Sequence, residues 1–566
     1  MHVSPLESAV REILESSFGV SPDVVPWSRP GSAEFGDIAT PIALQVAKRV
    51  KKSPIDIAQA IAASLGKHAL VERCEVAAPG YVNVWLGVAA HRERLADTRS
   101  SCSPAAPREE PPVIIDYSGP NIAKPLGIHH ILSTVIGQVI VNLHRHTGGN
   151  VIGWSYPGDW GTQFGKLAVA FERWGGEKPA AEYTVDELLA LYVRFHREAE
   201  GNPTLEEEGR AAFAKLERGD PALRAFWADV VKVSRAALGA LYERLHVHLD
   251  RETGESFYED KMAPILQEGM TKGVFTEGEG GSLIVEFPPA EDLPPFLLRK
   301  SDGSTLYATR DLAMIRYRID TCHPSAISYV VDVAQSLHFR QLFATARLLG
   351  WKLPELQHTV FGRMRFADAA MSTRKGTVLK LESVLDEAVR RAGQVIKDHG
   401  EEIQTDDPAA LAEMMGVGAV AYGILSQNRR MDMVFDWAKV LSFDGNSAPY
   451  LQYTHARARS VLRKAGEIDV LVPEGVKAFS PHERTLVNSL SQFPAVLEQA
   501  RAEQMPHILA HFLFSLCQDF NAFYNAEPIL KAPEPEKALR LSLTSLTADV
   551  LQCGAELLTL RVPDRM

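Results

Sequence analysis

The sequence predicts an α/β protein: a doubly wound parallel-sheet domain preceded by an α+β domain and followed by an all-α bundle. Three observations predict it. VIIDYSG (113–119) is a short apolar run of the kind that forms a buried parallel strand, and the loop PNIAKPLG leads from it into a helical stretch, IHHILSTVIGQVIVNLHRH, that stops at Gly148-Gly149. AISYVVDVAQ (326–335) repeats the pattern of an apolar strand running into polar residues. From about residue 408 the apolar spacing is helical almost throughout.

The other elements follow in order. Leu6, Val10, Ile13, Leu14 and Phe18 recur at three- and four-residue spacing, which predicts an opening helix with one buried face. PGYVNVWL (79–86) has the content of a strand. TRSSCSPAAPREEPP (98–112) carries four prolines without periodicity and predicts a linker. The resulting division is 1–97, a linker over 98–112, a sheet domain over 113–440 with a helical insertion at about 175–290, and a helical domain over 441–566. Stretches such as DELLALYVRFHREAE (186–200) make the insertion charged and helical.

Composition bounds the function. A chain of 566 residues and 62.3 kDa accommodates three or four domains. Its 46% hydrophobic and 23% charged content excludes a disordered or collagen-like chain. Sixty Lys and Arg against 71 Asp and Glu give a net charge of −11, so any contact with nucleic acid must come from local basic clusters. Five scattered cysteines with no C-x-x-C pair argue against metal, structural zinc included, and fit a reducing cytosol. The N-terminal MHVSPLESAV is polar where a secretory signal would be apolar, and no uninterrupted apolar run reaches the roughly 18–20 residues of a membrane span. A cytoplasmic protein with no membrane partner is expected.

Chemistry concentrates first at the junction of strand and helix after residue 116, where Lys124, His129 and His130 crowd together. A helix N-terminus offers free N–H groups and partial positive charge to a phosphate, and imidazoles there add donors. Adjacent histidines on a helix diverge, so at most one serves any single phosphate. Taken alone, this loop reads equally as a solvated turn.

SGPNIAKPLGIHHILSTVIGQ (118–138) resembles the ATP-binding signature of the arginyl-tRNA synthetases, a class I aminoacyl-tRNA synthetase family whose pattern is P-N-x-A-K-x-x-H-x-G-H-L-R-S-T-x-x-G-D. Further matches follow in order: FGDIAT (35–40), PGDWGTQFGKL (157–167), YERLHVHLDRETGESFYEDKM (242–262), DGSTLYATRDLA (302–313), AQSLHF (334–339), MSTRKG (371–376), FDGNSAPYLQYTHARARS (443–460) and the closing PDRM. Against the pattern, Gly127 replaces the first signature histidine and His129 the signature glycine, leaving His130 alone in place; Leu132 stands for the usual arginine and Gln138 for the usual aspartate. The exchange reads either as a coordinated redesign, with Gly127 supplying space for ATP, or as decay of activity.

The resemblance implies a Rossmann-like catalytic domain, a tRNA-contacting N-terminal domain and an anticodon-binding helical bundle. It implies a pocket for arginine built from Asp116, Asn121, Tyr307, Asp311 and Gln335. That set suits the substrate, because a guanidinium is a rigid, always charged fork of donors and a carboxylate such as Asp311 receives it selectively. If 307–311 is helical, Tyr307 and Asp311 share a face. Gly127, His129, His130, Met371 and Ser372 would contact ATP, and Lys124, His130, Arg374 and Lys375 would stabilise charge on the reacting phosphates. Tyr450, Tyr453, His455, Arg457 and Arg459 combine cations with aromatic rings, as RNA contacts require. The implied activity is ligation of arginine to its tRNA through arginyl-adenylate, using ATP with Mg²⁺, by a monomer. The alternative is a non-catalytic arginine- or tRNA-binding paralogue with a degenerate ATP signature.

Overall fold

The computed structural model describes residues 4–30, 33–366, 379–400, 403–466 and 471–566. Its first unit comprises α1 (Ser4–Phe18), β1 (Ile38–Thr40), α2 (Ile42–Val50), α3 (Pro54–Leu65), β2 (Val71–Ala77) and β3 (Tyr81–Leu86). The strands form an antiparallel sheet in the order β1-β3-β2. Leu6, Val10 and Leu14 of α1 are fully buried on this sheet's core, as their spacing predicts. Helix α4 (Val88–Ser100) then runs to Ser100, three residues into the stretch read as linker, because Thr98 is buried and donates to the Leu490 carbonyl.

The central sheet is wholly parallel. It is built from β4 (Val113–Asp116), β5 (Val151–Ser155), a two-residue β6 (Arg251–Glu252), β10 (Ala326–Asp332) and β11 (Glu355–Phe361), in the order β11-β10-β4-β5-β6. Strand β4 connects through α5 (His130–His146) to β5 on one side and has β10 on the other. The β4/β10 boundary is therefore a topological switch point, where ligands bind beyond the strand C-termini.

Between β5 and β6 lie α6 (Thr162–Trp174), α7 (Val185–Ala199), α8 (Pro203–Glu217) and α9 (Pro221–Arg244). The insertion is helical only over this part. Beyond α10 (Glu259–Thr271), strands β7 (Phe275–Glu277), β8 (Leu283–Val285) and β9 (Phe296–Arg299) form an antiparallel sheet that the helical expectation for 175–290 missed. Strands of three or four residues carry too little alternation to register in a pattern. Helices α11 (Tyr307–Cys322) and α12 (Ser336–Leu348) cover the same face of the central sheet. A short parallel pair, β12 (Met364–Phe366) with β13 (Met433–Phe435), follows.

The rest is helical: α13 (Leu381–His399), α14 (Pro408–Leu425), α15 (Trp437–Val440), α16 (Ala448–Ala465), α17 (Pro481–Leu490), α18 (Phe493–Glu503), α19 (Pro506–Ala526) and α20 (Glu536–Leu557). Among the described residues, α14 is the one helix long and apolar enough to cross a membrane by length and composition. It is 67% buried and packs on α13.

A buried polar seam joins the first unit to this bundle. Asp37, in the FGDIAT segment, accepts from the Leu86 N–H at 2.7 Å, from Arg484 Nη1 at 2.8 Å and from Asn488 Nδ2 at 2.6 Å, with His91 Nε2 3.3 Å away. Burial alone would raise the Asp37 carboxyl; hydrogen bonds from His91 and Asn488 and the charge of Arg484 instead hold it well below the usual carboxylate range.

Candidate active site at the switch point

The loop after β4 is held in a conformation that most residues avoid. Ser118 and Ala123 both adopt positive φ, +56° and +64°. Such strain persists only where surroundings impose it, and it clusters at functional sites. The restraints are visible. Ser133 Oγ of α5 donates to the Val330 carbonyl of β10 at 2.7 Å and accepts from the Ser118 N–H at 3.0 Å. Gly158 of the PGDWG segment donates to the Pro120 carbonyl, and its own carbonyl accepts from Ile122. A Cβ at Gly158 would stand 2.7 Å from Asn121 Oδ1, so a larger residue there would displace the Asn121 side chain. Asn121 is thus fixed in place and solvent-exposed at the end of β4.

At the N-terminus of α5, the Gly127 N–H lies 3.1 Å from His130 Nδ1. Nδ1 also lies 3.2 Å from the Gly127 carbonyl, so the Gly127 backbone holds the ring in place whichever nitrogen carries the proton. Burial, then the neighbouring His129, pushes His130 down to about 4, so it is neutral at pH 7. His129 is exposed, with its ring 3.9 Å from that of His130. Lys124 is turned toward the insertion: its ammonium lies 5.0 Å from the Tyr192 ring, and it lines a cavity of about 460 Å³ with Asp186, Arg244 and Lys380. Residues 126–128 pair with 379–381 through Ile128 N–H to Leu379 and Leu381 N–H to Leu126. The MSTRKG segment, with Met371, Ser372, Arg374 and Lys375, lies outside the described residues.

The departures from the signature have structural reasons. Leu132 is 1% exposed and belongs to the core beneath α5. Gln138 Oε1 accepts from the Tyr117 hydroxyl at 2.8 Å and from the His248 N–H at 2.7 Å, a role an acceptor oxygen of an amide fills without burying a charge.

The residues expected to hold the amino acid come from β4 and from the starts of α11 and α12. Asp116 ends β4 and is buried; burial raises its carboxyl and the Arg318 guanidinium opposes that rise. Tyr307 and Asp311 lie on the first turns of α11, confirming the helical spacing, and Asp311 is close enough to Asp116 for their charges to interact. Tyr307 is 67% exposed, so its ring makes no packed wall. Asp311 Oδ2 is 2.7 Å from His338 Nε2, and exposed Gln335 sits one turn before that histidine. His338, Arg318 and Ser133 were not singled out by sequence reasoning. His338 was within reach, in the quoted AQSLHF segment, and Arg318 lies two turns beyond Asp311 on α11.

The bundle residues expected to meet RNA divide. His455 is 1% exposed, with Nδ1 3.0 Å from the Pro563 carbonyl, and burial pushes it down to about 4. The expectation of a cation there is corrected: a neutral, sealed imidazole presents no charge to phosphate. Arg459 is committed to Asp549 and Asp564 at 3.7 and 3.6 Å and to Gln552. Tyr450 accepts from Asn521. Tyr453 and Arg457, stacked at 4.8 Å, instead line a groove of about 940 Å³ with Arg463, Lys464, Tyr524 and Lys531.

A parallel-sheet switch point with a helix N-terminus and paired carboxylates, together with a small α+β unit and a helical bundle, is the architecture of a class I tRNA synthetase. Family models agree: residues 95–437 match the class I (R) tRNA synthetase catalytic domain, 4–86 the arginyl tRNA synthetase N-terminal domain and 451–566 the DALR anticodon binding domain. The chain belongs to the arginyl-tRNA synthetase family. It is 36% identical over 534 residues to an arginine–tRNA ligase of Fusobacterium nucleatum, covering 94% of each chain. It is 40% identical over 484 residues to one of Chloroflexus aurantiacus, covering 85% of this chain and 83% of that one. The solved arginyl-tRNA synthetase of Thermus thermophilus superposes with a TM-score of 0.82 at 26% identity, each chain fully covered.

Proposed function

We infer that this chain is an arginine–tRNA ligase. The arginine carboxylate attacks the α-phosphate of ATP, supplied with Mg²⁺ as substrate, giving arginyl-adenylate and pyrophosphate; the 3′-terminal ribose hydroxyl of tRNA then takes the arginyl group and AMP leaves. The observation that carries this reading is the meeting of two carboxylates, Asp116 and Asp311, at the switch point from which α5 starts with a neutral imidazole, His130, in its first turn.

In this reading Asp311 receives the substrate guanidinium and Asp116 the α-ammonium, with Asn121 at the carboxylate end and Tyr307 and Gln335 bounding the pocket. His130 donates Nε2–H to phosphate, beside Gly127 and His129; Arg374 and Lys375 supply positive charge, Lys124 joins them by turning away from Tyr192, and Met371 and Ser372 complete the ATP contacts. Positioning and charge lower the barrier; no general base is needed. The N-terminal unit contacts the body of the tRNA, and the helix carrying Tyr450, Tyr453, Arg457 and Arg459, through the Tyr453–Arg457 groove, contacts the anticodon arm. Activation depends on bound tRNA, and the protein works as a cytoplasmic monomer. Five free thiols support a reducing compartment.

Charging assays with unfractionated tRNA and each labelled amino acid test this. Arginine alone is transferred. Transfer of another amino acid refutes the pocket assignment, and tRNA binding without transfer identifies a non-catalytic paralogue instead.

A further inference from the structure

Beneath the amino-acid pocket lies a second guanidinium that belongs to the protein. Arg318 is fully buried, and its Nη2 stands 2.6 Å from Asp116 Oδ2. The sheet register explains the setting. Tyr329 of β10, Asp116 of β4 and Trp154 of β5 are side-by-side partners, so their side chains rise from one face toward α11. The Arg318 guanidinium lies 4.9 Å from the Trp154 ring and 5.8 Å from the Tyr329 ring. The contact is an ion pair: none of the Arg318 side-chain nitrogens, and not Asp116 Oδ2, has a hydrogen bond of regular geometry among the described residues.

This is a poor device for stability alone. Two buried ions must repay their desolvation, and an apolar pair of similar volume usually serves as well or better. The arrangement has a chemical consequence instead. Arg318 engages Oδ2, the sealed oxygen, and leaves Oδ1 to meet a ligand. Asp311 lies two turns earlier on the same helix, about 10 Å along the axis, so α11 carries one carboxylate at the mouth and one cation at the floor.

We propose that Arg318 is a positioning residue for the substrate: it keeps Asp116 ionised and aims its free oxygen at the α-ammonium of arginine. The proposal rests on the assignment of Asp116 made above. The groups facing Asp116 are Arg318 and Asp311 of α11, Tyr329 of β10 and Tyr258 before α10. Arg318 is the sole cation among them. Without it, burial and the Asp311 charge both favour a protonated, neutral Asp116.

The test compares arginine with 5-guanidinopentanoic acid, which keeps the guanidinium and carboxylate but lacks the amino group. The quantity read is the analogue's inhibition constant divided by the arginine KM in tRNA charging. Asp116→Asn lowers this ratio at least about tenfold, and Arg318→Met does the same while the KM values for ATP and tRNA stay within about twofold. In Arg318→Met, kcat/KM for arginine rises with pH across the neutral range, where the parent is flat, because Asp116 must lose its proton to bind. Arg318→Lys, which keeps the charge, recovers part of the ratio. If Asp116→Asn leaves the ratio unchanged, the assignment of Asp116 falls and the proposal with it. If Asp116→Asn collapses the ratio but Arg318→Met and Arg318→Lys keep it, Asp116 stands and the role of Arg318 is overturned. Should Arg318→Met not fold, the ratio and pH profile of Arg318→Lys decide.

Discussion

Substitution of Asp37 by alanine opens the seam between the N-terminal unit and the bundle. The carboxylate is 4% exposed and serves the Leu86 N–H, Arg484 and Asn488 at once, with His91 beside it. Removing one partner from a buried charged network costs about 3–5 kcal/mol. Glu72 still pairs with Arg484 and water can enter from that side, so the lower figure, about 3 kcal/mol, applies. At about 1.4 kcal/mol per factor of ten, local opening becomes about 10²-fold more frequent. Hydrogen–deuterium exchange of peptides covering 81–91 and 481–490 reads this directly, while peptides from the central sheet keep their parent rates. Arg484→Met produces part of the same effect, and the double variant is less destabilised than the sum of the two, because both remove one interaction. Exchange accelerated less than tenfold at both seam peptides would refute the view that Asp37 holds the two units together.

Other perturbations bear on the pocket and the packing around it. Asp311→Asn removes the carboxylate facing the guanidinium and raises the arginine KM about 10²-fold with little change in the ATP KM, measured by charging kinetics. His455 sits at about 4 in the fold against an ordinary 6.5, so it is neutral inside and the unfolded chain takes up the proton first; stability is full above pH 6.5 and falls toward pH 4. At pH 5 this amounts to ~2 kcal/mol, read as the part of the urea-midpoint shift between pH 7.5 and 5 that is lost in His455→Leu. In Gly137→Ala the new Cβ falls 2.3 Å from Tyr117 Cβ, and since Tyr117 is buried and held by Gln138 the variant loses about 3 kcal/mol by urea denaturation, with arginine KM raised through the adjoining Asp116.

What the sequence disclosed and what it concealed follow from the range of the interactions. Periodicity located α1, β3, β4, α5 and β10, because each has one apolar face or an apolar run long enough to see. It could not show β7 to β9, whose pairing is set by contacts between short strands. At the site, Asp116, Asn121 and Asp311 were legible as motif positions, and Tyr307 and Asp311 did fall on one helix. The meaning of individual cations was not legible. His455, Arg457 and Arg459 look alike in a row, yet one is sealed against Pro563, one lines an open groove and one is neutralised by two aspartates. Arg318 was invisible for the opposite reason: nothing near it in sequence reveals that it lies under Asp116, a contact made only when β4 and α11 meet.

The central claim is that the exchanged G-I-H-H signature still activates arginine. Pyrophosphate exchange with arginine and ATP, run with and without cognate tRNA, measures that step alone. The proposed function predicts exchange dependent on arginine and enabled by tRNA, with the His130 ring still held by the Gly127 backbone despite the exchange of Gly127 and His129. A folded protein that binds tRNA yet shows no exchange in either condition would contradict it.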